Sequence, residues 1–362
     1  MTMNFVTDLK QEYKSFEITS LPTSCADMIL FTTVSAIITI CVVSGYYHSP
    51  PLEIINEQWD LFQKMTNKKY QDWEAADRFK IFKQNYDMIE EHNQRYRKGI
   101  ETFEMGIGPF ADRTPEEFKR MFRARLKPTN FLLGNIGICK LSANRSVAIP
   151  VEADHRQYMQ AVKDQEAHVC SSGWAFAVTG AVEGVAMRER KWDVSLSEQN
   201  LIDCAYGNPY QSYGCDGGSI YGALYYMRLN GITQSSNYPY TALDSRCKSH
   251  TGVWKVSIQY GIRDTEHDLL SVVGIRGPVA TMIEVTPYIM HYKSGIVSDT
   301  SCGKGPNHAV TIVGYGTENG QRYWLLRNSW GTTWGDRGYY KLSRSTNENC
   351  FIGQMAYFAD IE

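Results

Sequence analysis

The stretch that most limits what this chain can become is WAFAVTGAVEGVAM, residues 174–187. As a helix it is apolar on nearly every face. A helix of that kind is buried, because its whole perimeter needs covering by other protein. It follows the small residues CSSG, Cys170 to Gly173. A helix N-terminus stabilises an anion, so an enzyme can seat a nucleophile there. The residue before Trp174, however, is Gly173, which has no side chain. The last third differs in character. PVATMIEV, HAVTIVGYG, RYWLLRNSW and GYYKLS have strand composition, and Glu318-Asn319-Gly320 supplies a hairpin turn between two of them. Helices first and strands later predict an α+β protein of two halves with a cleft between them.

The length of 362 residues fits two average domains, or one domain with an attached segment. A formal net charge of -2 gives no reason to expect a nucleic-acid partner. Six of the nine cysteines (Cys170, Cys204, Cys215, Cys247, Cys302 and Cys350) lie beyond residue 169, and no pair has the close spacing of a zinc site. No metal or other cofactor is expected. Disulfides formed in an oxidising compartment are the expectation, against buried free thiols, and spacing alone leaves their pairing open.

Residues 28–43, MILFTTVSAIITICVV, are short for a membrane span and fit the apolar core of a signal peptide, with Ser44 and Gly45 after it. The polar leader at 1–27 is long and not basic, so either translation begins at Met28 or 28–45 is a weak signal anchor. Cys25 and Cys41 leave with such a signal and Cys139 remains as an odd thiol, while Asn144-Arg145-Ser146 is a glycosylation sequon compatible with a secretory route.

Beyond the signal, Ile55, Trp59, Phe62 and Met65 recur at helical spacing. A longer helix is predicted over 73–98, where Glu74, Arg78, Phe82, Asn85, Ile89 and Asn93 fall at steps of four, four, three, four and four on one face. An ordinary amphipathic helix with a Glu74–Arg78 pair would account for part of this. A stripe that mixes apolar, charged and amide groups points instead to polar side chains satisfied in a partner surface. Periodicity is lost over 126–150, which reads as a linker.

WAFAVTGAVEG, NHAVTIVGYG and RNSWGTTWGDRGYYKL occur in one order, and together they resemble a papain-like cysteine protease of the cathepsin L-like branch. The resemblance runs from residue 54 to the C-terminus. The 74–93 stripe matches the ERFNIN motif of that family's inhibitory prosegment at all six positions, and GIGPFAD (Gly106 to Asp112) matches its companion motif with Gly108 in place of asparagine. The implied fold is the two-domain papain-like α+β fold. The implied organisation is a prosegment at 51–125, a linker at 126–147 and a peptidase domain at 148–362.

The resemblance further implies disulfides Cys170–Cys215, Cys204–Cys247 and Cys302–Cys350, with GCDGG (Gly214 to Gly218) as one cleft wall. There Gly217 and Gly218 would pair with a bound peptide backbone. The pocket beside them would use Ile220, Met282, Pro306 and Ala309. His308 and Asn328 match the base and its orienting amide, with Trp330 covering their hydrogen bond. Gln165 falls in the oxyanion position. Two residues more than usual separate it from Cys170, and an ungapped alignment puts Ala167 there instead. His155 stands where tryptophan is usual.

The nucleophile position falls on Gly173. Cys170 is needed by its disulfide, and Ser172 precedes the helix start. The expected function is therefore a secreted or lysosomal cathepsin L-like homologue, made as a zymogen, that binds peptides or proteins as a monomer without cleaving them. Its other expected partner is its own prosegment. Without an anion beside it, His308 is expected to titrate near 6.5. The alternatives are an active cysteine endopeptidase, should Gly173 be a sequence error, and a structural or storage scaffold.

Overall fold

A computed structural model of the chain describes residues 49–122, 148–166, 168–249, 251–262, 266–345 and 350–362. The leader and signal at 1–45, the linker at 126–147 with Cys139 and the Asn144 sequon, and Ala167 lie outside those residues.

Helix α1 (Leu52–Thr66) buries Ile55 and Phe62, leaves Met65 exposed, and stops at Asn67 in the left-handed region. Helix α2 (Asp72–Arg97) follows. Its mixed stripe has a physical partner. Phe82 and Ile89 are buried, while Asn85 Nδ2 donates to the carbonyls of Ala111 and Arg113. Asn93 donates to the Met105 carbonyl and accepts from the Met105 N–H, both at 2.9 Å. Arg78 reaches Glu74 at 2.8 Å, Glu117 at 2.9 Å and the Asp112 carbonyl at 3.1 Å. The stripe thus binds the main chain of 105–113, whose polar groups would otherwise be buried unpaired. Gly108 is not forced by this packing, since a Cβ there would meet only ordinary contacts.

Strand β1 (Phe103–Met105) and helix α3 (Pro115–Met121) complete this region, the helix being started by a reciprocal capping box between Thr114 and Glu117. After β2 (Ala153–Asp154) comes the apolar helix α4 (Gly173–Arg190), buried without interruption from Gly173 to Ala186. Its one interior charge, Glu183, pairs with Lys163 at 3.1 Å, and Lys163 also meets Glu198 at 2.7 Å. Short helices α5 (Glu198–Cys204) and α6 (Ile220–Asn230) are each N-capped by a serine, Ser197 and Ser219.

The remaining elements are β3 (Val256–Gly261), α7 (Glu266–Ile275), β4 (Val279–Ile283), β5 (Tyr292–Val297), β6 (His308–Glu318), β7 (Gln321–Arg327), β8 (Tyr339–Ser343) and β9 (Ala356–Ile361). The sheet order is β1-β5-β8-β7-β6-β4-β9-β3, with β2 on β6. Only the β5–β8 pair is parallel among the described strands. The β6–β7 hairpin turns at Asn319 and Gly320, both with positive φ.

Two main cores result. One lies among the sheet, α7 and the aromatic residues Trp330 and Trp334; the other surrounds α4, α5 and α6. The disulfides are Cys170–Cys215, Cys204–Cys247 and Cys302–Cys350, the pairing the family resemblance implies. His155 is buried, its Nε2 2.7 Å from the Val273 carbonyl near the end of α7.

The N-terminal region docks by adding β1 to the edge strand β5, with Phe103 opposite Gly295. Gly295 has φ +92°, and a Cβ there would come within 2.6 Å of the Thr102 carbonyl. Beside this seam His291 is fully buried with no partner on either ring nitrogen, while its carbonyl accepts from Gly106 N–H. Burial pushes its pKa down to about 3. A histidine whose folded pKa lies below its unfolded value of about 6.5 leaves stability intact above that pH and removes it as pH falls towards the folded value. Between pH 7 and 5 the loss from this group is about 2 kcal/mol. His291→Phe should therefore lose about 2 kcal/mol less than the wild-type chain over that interval in urea unfolding. Superimposable pH dependences would show that this ring is not held neutral.

Candidate active site

Helix α4 and strand β6 face each other across the cleft and bring Gly173 against His308. His308 begins β6, where Asn307 fixes the preceding turn by exchanging side-chain hydrogen bonds with both backbone groups of Val285. Its Nε2 lies 2.9 Å from Asn328 Oδ1, and that oxygen also accepts from Ser329 N–H at 2.8 Å. Asn328 therefore presents an acceptor, which places the ring proton of neutral His308 on Nε2 and the lone pair on Nδ1. Trp330 stacks over the imidazole at 5.2 Å.

Nδ1 points at a residue with nothing to offer. A Cβ built on Gly173 would lie 2.8 Å from His308 Nδ1, 2.7 Å from its Cε1 and 3.1 Å from Gln165 Oε1. The ring occupies space that a side chain at 173 would need. Neighbouring nucleophiles are engaged elsewhere. Cys170 is in its disulfide with Cys215, Ser172 Oγ lies 2.8 Å from Tyr240 Oη, and Ser171 Oγ donates to the Met121 carbonyl at 2.8 Å.

Gln165 sits at the cavity wall and is fully buried. Its Nε2 donates to the Cys170 carbonyl at 3.1 Å and its Oε1 accepts from Ser329 Oγ at 2.6 Å, so the side chain is held by both sides of the cleft. The additional residues before Cys170 are accommodated in a turn with Glu166 at φ 49°. That turn borders a separate cavity of about 610 Å³, lined by Lys68, Arg113, Asp164, Glu166 and His168, which contains neither Gly173 nor His308.

The cavity between Gly173 and His308 has a volume of only about 10 Å³. Roughly 10–15 Å³ is needed for one water, so at most one fits. Phe122 closes it: its ring lies 5.1 Å from both His308 and Trp330. Gly218, Met282 and Ala309 line the same cavity. Ile220 does not line this small cavity; it is buried in the same core cluster as Met282 and Ala309. Gly217 is turned inward as well, its carbonyl accepting from Tyr213 N–H and its own N–H donating to Gly214. A Cβ on Gly218 would strike the Trp174 ring at 2.5 Å, so indole packing demands that glycine whatever the cleft holds.

The site differs from the expectation that His308 titrates near 6.5. Burial beneath Phe122 and Trp330 holds its pKa down to about 4, with the Asn328 hydrogen bond acting weakly in the opposite direction. The residues missed in the sequence were Phe122 and Ser171. Phe118 and Phe122 fall four apart, an available hint of a shared helical face, but nothing local tells that the second ring reaches His308.

Residues 149–359 match the family described as papain family cysteine protease, and residues 59–118 match the cathepsin propeptide inhibitor domain (I29). The chain is 36% identical over 305 residues to a cathepsin L-like proteinase of Fasciola hepatica, covering 83% of this chain and 92% of the relative. It is 38% identical over 315 residues to the thiol protease aleurain of Arabidopsis thaliana, covering 82% of each. Among solved structures it is similar to digestive procathepsin L 3 from the Tenebrio molitor larval midgut, with a TM-score of 0.75 and 36% identity over 84% of this chain and 99% of that one.

Removing the aromatic cover should release the imidazole from its low pKa. In Phe122→Ala the His308 titration, followed by NMR of its Cε1 proton, should move up from about 4 towards the ordinary value of about 6.5. An unmoved titration would mean that the other walls, not Phe122, hold the ring neutral.

Proposed function

The chain belongs to the papain family of cysteine proteases, with a cathepsin L-like peptidase domain and an I29 prosegment, and from that membership we propose that it is a pseudoprotease, a binder of peptide or protein segments that does not cleave them. The observation that carries this reading is that position 173 has no side chain, with His308 Nδ1 2.8 Å from where its Cβ would stand. Peptide cleavage by this family's chemistry needs a thiolate at the start of the helix and an imidazolium opposite it. Here the base faces a hydrogen, and His308 is a neutral acceptor held in place by Asn328 and Trp330. What remains is the backbone at the start of α4, Gln165 and the cleft walls. In a serine-protease example such binding and oxyanion elements alone leave roughly 10³–10⁴ over water, orders of magnitude below a complete triad.

In this reading His308, Asn328, Gln165 and Trp330 are inherited parts of a catalytic site that now shape a binding cleft. Gly218, Met282 and Ala309 supply its walls, and the prosegment occupies it in this form of the chain. The three disulfides support passage through an oxidising, secretory compartment, with a lysosomal or extracellular destination.

The test is enzymatic. The full chain, nicked between prosegment and domain by an added protease that is then inhibited, should hydrolyse fluorogenic peptides no faster than its His308→Ala variant. Gly173→Cys, which requires the His308 ring to draw back, should gain a rate that His308→Ala then abolishes. A wild-type rate that disappears with His308→Ala would overturn the pseudoprotease reading.

A further inference from the structure

Ser171 lies at the cavity wall, two residues before the side-chain-less position. Its place is set without help from its own hydroxyl. The Cys170–Cys215 disulfide fixes the preceding residue, and Ser171 N–H donates to the Cys215 carbonyl at 2.9 Å. Among the described residues the hydroxyl has one partner, the carbonyl of Met121 at 2.8 Å, which belongs to the N-terminal region lying across the cleft. The rest of the domain does not use that hydroxyl. It is a donor held on a rigid support and directed at whatever peptide crosses the start of α4.

Resting on the peptide-binding reading above, we infer that Ser171 is a ligand-anchoring residue that donates a hydrogen bond to a main-chain carbonyl of the peptide in the cleft. In this form that peptide is the chain's own Met121–Phe122. A main-chain carbonyl exists at every residue, so the anchor asks nothing of the ligand's side chain at that point. Discrimination comes one residue later. The peptide bond after the Met121 carbonyl leads to Phe122, whose ring packs against both His308 and Trp330. The ligand class is accordingly a peptide segment with an aromatic residue directly after the anchored carbonyl, which in this chain is the last carbonyl of helix α3. A hydrogen bond from a pre-set donor holds such a segment where no covalent bond can form.

The contact can be read in the intact chain by hydrogen exchange at residues 118–122, which requires no external ligand. Ser171→Ala should speed exchange there roughly 3–10-fold, the range of one net hydrogen bond, while amides of α4 stay unchanged. Ser171→Thr, which keeps a hydroxyl, should remain near the wild-type rate. An unchanged rate in Ser171→Ala overturns the assignment, and so does an equal acceleration in α4, which would mean a structural role. A fluorescein-labelled peptide of the sequence EFKRMF, titrated into the nicked wild-type chain, tests the underlying reading separately. Failure of that peptide to bind would remove the peptide-binding reading, whereas the exchange result decides Ser171.

Discussion

One ammonium group allows the buried helix to stand where it does. Glu183 and Glu198 lie in the interior at 1% and 2% exposure, and Lys163 joins them. Removing carboxylates from water costs several kcal/mol each unless charge and hydrogen bonds compensate. Burial works against the charged lysine, yet the two carboxylates outweigh it and raise its pKa. Thr179 and the Leu196 N–H supply further bonds to the same carboxylates. The cluster ties the segment before Gln165, helix α4 and helix α5 into one body. Gly173 begins that helix, and Gln165 lies two residues after that lysine. The positions of two cleft residues thus depend on a charge cluster set below the cleft.

What could be read from the sequence follows from the range of the forces involved. The α2 stripe was legible because a helix repeats locally, and its amides and charges implied a partner surface. That partner is the main chain of 105–113, bound through Asn85, Asn93 and Arg78. The long strands were visible in their composition. Strand β1 was not, since three residues show no period and its pairing with β5 spans almost two hundred positions. Family resemblance grouped Ile220 with Met282 and Ala309, and the three are buried in one core cluster, Ile220 at the start of α6. His308 shows the same limit most clearly. Its partner Asn328 was legible in a motif, while its burial depends on Phe122, which no local pattern connects to it.

The glycine and the low pKa of His308 express one physical condition. An imidazolium in this family's site is stabilised by a thiolate beside it. With no anion at 173, burying a charged ring would carry the full desolvation penalty. The neutral ring carries far less, so it can sit beneath Phe122 and Trp330 with only Asn328 as a polar partner.

Closure of the gap follows from the same condition. A charged pair needs room for a sulfur and keeps some hydration, whereas a neutral ring against a glycine Cα leaves space for one water at most. Chemistry and packing therefore change together. At 173 no side chain faces His308, burial keeps that ring neutral, and Phe122 of the N-terminal region closes the cleft over it. The remaining polar capacity at that point is directional hydrogen bonding from groups that the main chain and a disulfide have already fixed. Such groups offer hydrogen bonds of fixed direction at the start of α4.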